Sequence, residues 1–186
     1  MRLTGRATIV TAVALFAVSF LPEHLTAQPL AGDHEVQIAG GLFHAQGADT
    51  GSLNADIQYG YYLTRGWELG LRQALNYNFI DDQRDVWTAT TTPFVHYNFR
   101  FTDRFIPYLG GHMGLVWNDR DATGTIGPNA GFKVFLTNQT FFAAGYRYEW
   151  FFSRLRDVED NTNRGNHVVN LGLGLVWGGT GTRGKP

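Results

Sequence analysis

The sequence predicts an all-β fold, an eight-stranded antiparallel up-and-down transmembrane β-barrel, on three observations. Apolar and polar residues alternate with period two through eight segments, aromatic residues collect at segment ends, and the connections alternate between short and long. Such alternation puts successive side chains on opposite faces of a strand. Composition agrees: charged residues make up 17%, and the lysines are only Lys133 and Lys185, whereas 23 glycines, 14 Phe, 8 Tyr and 5 Trp are present. A soluble domain carries more charge, and soluble β-sheets commonly guard exposed edges with lysine. This chain is therefore short of a water-facing coat. Its formal net charge of -1 argues against a nucleic-acid partner, which would need a basic surface. With no cysteine, disulfides, thiolate chemistry and Cys-ligated zinc are excluded.

Arg2 and Arg6 precede an uncharged apolar run from Ala7 to Leu21, which Pro22 breaks and Leu25-Thr26-Ala27 follows. This pattern predicts a cleaved signal peptide over 1–27. The run is shorter than the roughly 20 apolar residues a spanning helix requires. A barrel domain is expected over 28–177 and a flexible tail over 178–186.

Eight strands follow from the alternation, taken in chain order. The first runs from Val36 to Ala45. The second, Leu53 to Leu63, sets Leu53, Ala55, Ile57, Tyr59 and Tyr61 against Asn54, Asp56, Gln58 and Gly60. Thr64-Arg65-Gly66 turns it into the third, Trp67 to Phe79, where Trp67, Leu69, Leu71, Leu75, Tyr77 and Phe79 oppose Glu68, Gly70, Arg72, Ala74, Asn76 and Asn78, a hairpin. The fourth is Trp87 to Arg100; Pro93 within it removes a ladder donor and would demote it in a soluble sheet. The fifth is Phe105 to Trp117, the sixth Gly127 to Leu136, the seventh Phe141 to Phe152 and the eighth His167 to Trp177. Most are about ten residues long, as a tilted strand needs to be to cross a bilayer. Connections at Thr64 to Gly66, Phe101 to Arg104 and Thr137 to Thr140 are short. Those at Gln46 to Gly51, Ile80 to Asp85, Asn118 to Ile126 and Ser153 to Asn166 read as longer and polar.

Which face lies outside decides the class. A soluble barrel keeps its apolar face inside, and a membrane barrel inverts this. The polar faces here hold a few charges padded with Gly, Ala, Asn and Thr, which suits a narrow interior. Parity sends Asp56, Glu68, Arg72, His96, Arg100, Lys133, Arg147 and Glu149 inward, with Asp56 expected near Arg72 and Glu68 near His96 and Arg100. Tyr61, Trp67, Phe99, Phe105, Phe142 and Trp177 gather toward the short turns, with Phe101 and Phe141. Tyr77, Phe79, Trp87, Trp117 and Trp150 gather toward the long loops. Two such girdles fit the two interfaces of a bilayer.

The stretch Gly60-Tyr61-Tyr62-Leu63-Thr64-Arg65-Gly66-Trp67-Glu68-Leu69-Gly70, the stretch Pro107-Tyr108-Leu109-Gly110-Gly111 and the closing strand resemble the small outer-membrane β-barrels of the OmpA/OmpX type. Asn170, Gly172, Leu175 and Trp177 resemble the C-terminal β-signal read by the barrel-assembly machinery, although nine residues follow, Gly178 to Pro186. The resemblance implies a cell outer-membrane location, contact with outer-membrane lipids and lipopolysaccharide, periplasmic termini and four outward loops.

Functionally, a structural or interaction role is expected, with the interior plugged by polar side chains, no enzymatic activity and no cofactor. No motif in the long loops specifies a partner. One alternative is a lipid A-modifying enzyme, since Ser153 and His167 flank the last loop beside Asp157 and Glu159; parity points those two side chains to opposite faces, and no nucleophile-elbow motif is present. The other is a secreted, lipocalin-like soluble barrel. The histidines show no close ligand spacing, and the acidic runs Asp81 to Asp85 and Asp157 to Asp160 match no calcium loop, so no metal is expected.

Overall fold

The computed structural model describes residues 28–44, 51–79, 86–119, 121–152 and 165–178. Eight strands follow in chain order: β1 Asp33–His44, β2 Gly51–Tyr62, β3 Trp67–Phe79, β4 Val86–Asn98, β5 Phe105–Trp117, β6 Ala122–Phe135, β7 Thr140–Phe151 and β8 Gly165–Gly178. Each pairs antiparallel with the next, and β1 closes on β8 through pairs such as His34 with Trp177 and Ile38 with Leu173. Closure removes both sheet edges, so no strand presents a free edge to an apolar surround.

Adjacent residues on β3 show which face is which. Leu71 is 48% exposed on the outer wall, and Arg72 is 4% exposed inside. The same inversion holds around the circumference: Ile57, Leu69, Leu109, Met113, Leu115, Val169, Leu171 and Leu173 are exposed, whereas Glu35, Gln58, Glu68, Asn98, Asn129 and Lys133 are buried. Pro93 and Pro128 both face outward and are exposed.

Three tight turns share one device. Thr64, Thr102 and Thr137 each stand three residues before the next strand's first paired residue. In each, the hydroxyl oxygen accepts the backbone N–H of that residue, at 3.0 Å from Trp67, 2.9 Å from Phe105 and 2.9 Å from Thr140. The same oxygen also lies within bonding range of the N–H one residue earlier, on Gly66, Arg104 and Gln139. A threonine side chain thus substitutes for a missing ladder partner where the chain reverses.

The strand limits differ from the sequence expectation mainly at two places. β1 starts at Asp33 rather than Val36, which carries Asp33 and Glu35 into the interior. β6 starts at Ala122 rather than Gly127, so the fifth-to-sixth connection is a short reversal closed by the Asn118 side chain, whose Oδ1 accepts the Asp121 N–H at 2.7 Å. The Ala-Thr-Gly-Thr run there lacks large apolar residues and so reads as a loop, yet Thr123 and Thr125 point inward in step with the rest of β6. Residue 120 and the segments 1–27, 45–50, 80–85, 153–164 and 179–186, with the expected signal peptide, most of the expected tail, both acidic runs and Ser153, lie outside the described residues.

Candidate functional site in the barrel lumen

The lumen is built in layers because inward positions recur every second residue on all eight strands. At the short-turn end, Ile106, Phe135, Phe141, Ala143 and Val176 form a buried apolar cluster. Phe141 belongs to this cluster rather than to the outer aromatic band, because β7 begins at Thr140 and its parity turns Phe141 inward and Phe142 outward.

Above it sits a charged layer centred on Lys133. Its Nζ lies 2.7 Å from both Glu35 carboxylate oxygens, 2.9 Å from Glu68 Oε2 and 2.9 Å from the Tyr62 hydroxyl oxygen. Tyr62 in turn donates its hydroxyl to Glu35 at 2.7 Å, and Asn98 Nδ2 donates to Glu68 at 3.0 Å. The ammonium also stands 5.4 Å, 5.7 Å and 5.4 Å from the ring centres of Tyr62, Tyr108 and Phe141. Lys133, Glu35 and Glu68 are 0% exposed, so the Coulomb attraction that holds them is weakly screened by water. His96 lies opposite Glu68 in the ladder, its Nδ1 3.8 Å from the carboxylate and its ring stacked between Phe94 and Tyr108.

The next layer holds the second ion pair. Arg147 Nε is 2.7 Å from Glu149 Oε1, and its Nη1 is 3.5 Å from Asp56 Oδ2, which Asn170 Nδ2 also approaches at 2.9 Å. Arg72 reaches Gln58 through Nε at 3.2 Å and Nη2 at 2.7 Å. A third chain links His112 Nδ1 to Asn129 Oδ1 at 2.8 Å and Asn129 Nδ2 to His96 Nε2 at 3.2 Å.

Two expected pairings are corrected. Asp56 meets Arg147 and Asn170 across the lumen, not the diagonal Arg72, because a barrel brings non-neighbouring strands face to face where a flat hairpin does not. Arg100 does not enter the lumen at all: β4 ends at Asn98, and Arg100 is exposed in the following turn, leaving Lys133 as the cation beside Glu68. The alternation places Asn98 and Asn129 on the polar faces of the fourth and sixth strands, where they are buried, but does not single out Glu35, Tyr62, Tyr108 and His112; extending the first strand's alternation by three residues exposes Glu35.

On the outside, Tyr61, Trp67, Phe99, Phe105 and Trp177 are exposed near the short turns, with Phe142 half-buried; Trp117 and Trp150 are exposed near the opposite rim, with Tyr77 and Trp87 half-buried. The side chain of Phe79 lies outside the described part. Trp87 packs edge-on against Trp117 at 5.7 Å and Trp67 against Tyr97 at 5.1 Å. His34 bonds the Tyr59 hydroxyl at 2.6 Å and stacks on Trp177 at one rim; His167 bonds the Tyr146 hydroxyl at 2.7 Å at the other. On β8, Asn170 and Gly172 face inward and Leu175 and Trp177 outward. Among the described residues no three His, Asp or Glu side chains gather to hold a metal ion.

An apolar outer wall banded by aromatics around a charged, hydrogen-bonded interior defines an integral membrane β-barrel. The chain matches the family model "Outer membrane protein beta-barrel domain" over residues 8–176, and it belongs to that family. No curated protein matches it in sequence. Its fold is similar to the outer membrane protein OprG from Pseudomonas aeruginosa (12% identity, TM-score 0.53, covering 83% of this chain and 99% of that one). It is similar also to Neisserial surface protein A (16%, 0.55, 77% and 94%), and to the Yersinia pestis outer membrane protein Ail in a phospholipid bilayer nanodisc (15%, 0.52, 78% and 99%).

Proposed function

We propose that this outer-membrane barrel is a closed, non-enzymatic envelope component, which stabilises the outer membrane and presents its long loops to ligands or partners on the cell surface. The layer of Lys133, Glu35, Glu68 and Tyr62, fully buried above the apolar cluster of Ile106, Phe135, Phe141 and Val176, carries this reading. An eight-stranded barrel has an interior that side chains can fill, and here they interlock across it. A continuous water path through that layer would have to break buried charge pairs, each costly to separate. In planar bilayers the purified protein should give little or no steady conductance; reproducible large single-channel steps would overturn the closed reading.

The wall is expected to contact phospholipid and lipopolysaccharide, and the Asn170, Gly172, Leu175 and Trp177 pattern on β8 to be read by the barrel-assembly machinery after export by a cleaved signal peptide. Replacing Leu175 and Trp177 together with alanine should reduce the heat-modifiable folded form recovered from outer membranes. Unchanged recovery would remove the assembly role from those residues.

A further inference from the structure

Unpartnered polar atoms recur along the lumen among the described residues. In the Lys133 layer they include Glu68 Oε1, Asn98 Oδ1 and His96 Nδ1. Toward the long-loop half they include Arg72 Nη1, a fixed donor, together with the hydroxyls of Thr90, Thr92 and Thr125, His112 Nε2 and Asp56 Oδ1.

The donors and hydroxyls stand at nearby ladder positions on neighbouring strands. Thr92 is the ladder partner of Arg72, Thr90 that of Ala74, and Thr125 that of Gly114, so the set lines four neighbouring strands, β3 to β6. Gly114 and Gly127 add no side chain to the lumen on β5 and β6, and each lies tight against a neighbouring strand's backbone. The contacts there are also unevenly shared. Of the two carboxylates of that half, Glu149 Oε1 and Asp56 Oδ2 are engaged by Arg147, at 2.7 Å and 3.5 Å. Among the described residues Arg72 has only the neutral Gln58 oxygen, with Phe94 5.3 Å beneath its Cζ. A 4% exposed guanidinium with no carboxylate in contact and one nitrogen unused among the described residues is a costly arrangement unless something anionic shares it.

We propose that this wedge is a binding site for a small free oxyanion of the sulfate or phosphate type, held by Arg72 Nη1 and the hydroxyls of Thr90, Thr92 and Thr125. Guanidinium and hydroxyl donors match the several oxygens of such an anion, and a barrel of this size has room for one small ligand. The closed wall keeps lipid headgroups away from Arg72, and an apolar cluster lies between Arg72 and the short-turn end. Because Asp56 and Glu149 balance Arg72 and Arg147 in formal charge, affinity is modest.

The test titrates sodium sulfate against sodium chloride at constant ionic strength into the full barrel in dodecyl maltoside micelles, which contain no phosphate. Resonances of the Arg72 Nε–H and of the Thr90, Thr92 and Thr125 amides are followed by NMR. Saturable shifts confined to these groups are expected, with Arg72→Met weakening binding at least about tenfold, the loss of one charge-assisted hydrogen bond. Arg100→Ala should bind as the parent does. Absence of saturation, or an unchanged affinity in Arg72→Met, overturns the site. If heat-modifiable mobility shows that Arg72→Met does not fold, the Thr92→Val and Thr125→Val variants decide: weaker binding in either supports the site, and parental affinity in both overturns it.

Discussion

Lys133 and Glu35 are 98 residues apart in sequence, and the Lys133 Nζ stands 2.7 Å from each oxygen of the Glu35 carboxylate. The contact crosses the lumen from β6 to β1. It ties the first strand to the late ones through the interior, independently of the β1–β8 ladder that closes the wall.

Removing that ammonium leaves two buried carboxylates, Glu35 and Glu68, facing each other without a cation. Lys133→Met should therefore destabilise the barrel by about 3–5 kcal/mol, and the triple replacement with Glu35→Gln and Glu68→Gln should recover much of the loss. Urea unfolding followed by tryptophan fluorescence in lipid vesicles measures both. A single variant as stable as the parent would show that the layer does not bind the strands together.

The outer wall should respond to charge according to depth. Leu71→Arg, at the middle of β3, should cost about 2–4 kcal/mol in vesicles, and Leu63→Arg, beside the short turn, about 0–1 kcal/mol. Both leucines are exposed, so a water-facing wall would tolerate the two substitutions alike.

Arg100 and Arg147 make a matched pair of controls for the interior. Arg100→Ala should change stability by no more than about 0.5 kcal/mol, since the side chain is exposed in a turn. Arg147→Ala should cost about 3–5 kcal/mol, because Asp56 and Glu149 lose their shared cation. The same urea titration ranks them, and equal effects would contradict the placement of Arg100.

Gly110 and Gly70 sit where strands approach too closely for a side chain. A Cβ on Gly110 would strike the Val95 carbonyl oxygen, and one on Gly70 the Tyr59 carbonyl oxygen and the Phe94 ring. Backbone cannot rotate away as a side-chain tip can, so Gly110→Ala should fold more slowly from urea into vesicles than the parent, as read from the heat-modifiable band. Folding at the parental rate would mean that the ladder there yields easily.

The threonine turns predict smaller effects that add. Each of Thr64→Val, Thr102→Val and Thr137→Val removes a hydroxyl acceptor for the N–H opening the next strand, at about 0.5–1.5 kcal/mol apiece. The three sites lie in separate turns, so the triple variant should approach their sum.

Local alternation is a property of one strand, and it is legible in the middle of each. Leu69, Leu71 and Leu75 against Glu68, Arg72 and Ala74 declare two faces without reference to any other strand, and the aromatics at the strand ends declare a bilayer. The β6 start was missed because Thr123 and Thr125 face inward from a run without large apolar neighbours. Arg100 was misplaced because a strand's end is set by where its partner stops pairing.

The sequence by itself thus determined the class of barrel, the inversion of its faces and most of the residues that point inward, since each rests on a period of two along the chain. The tertiary structure alone decided who meets whom across the lumen. Lys133 with Glu35, Asp56 with Arg147, and Arg72 with no carboxylate in contact depend on closure and on the stagger of eight strands, which set the contacts between residues about a hundred positions apart and leave no periodic trace in any one segment.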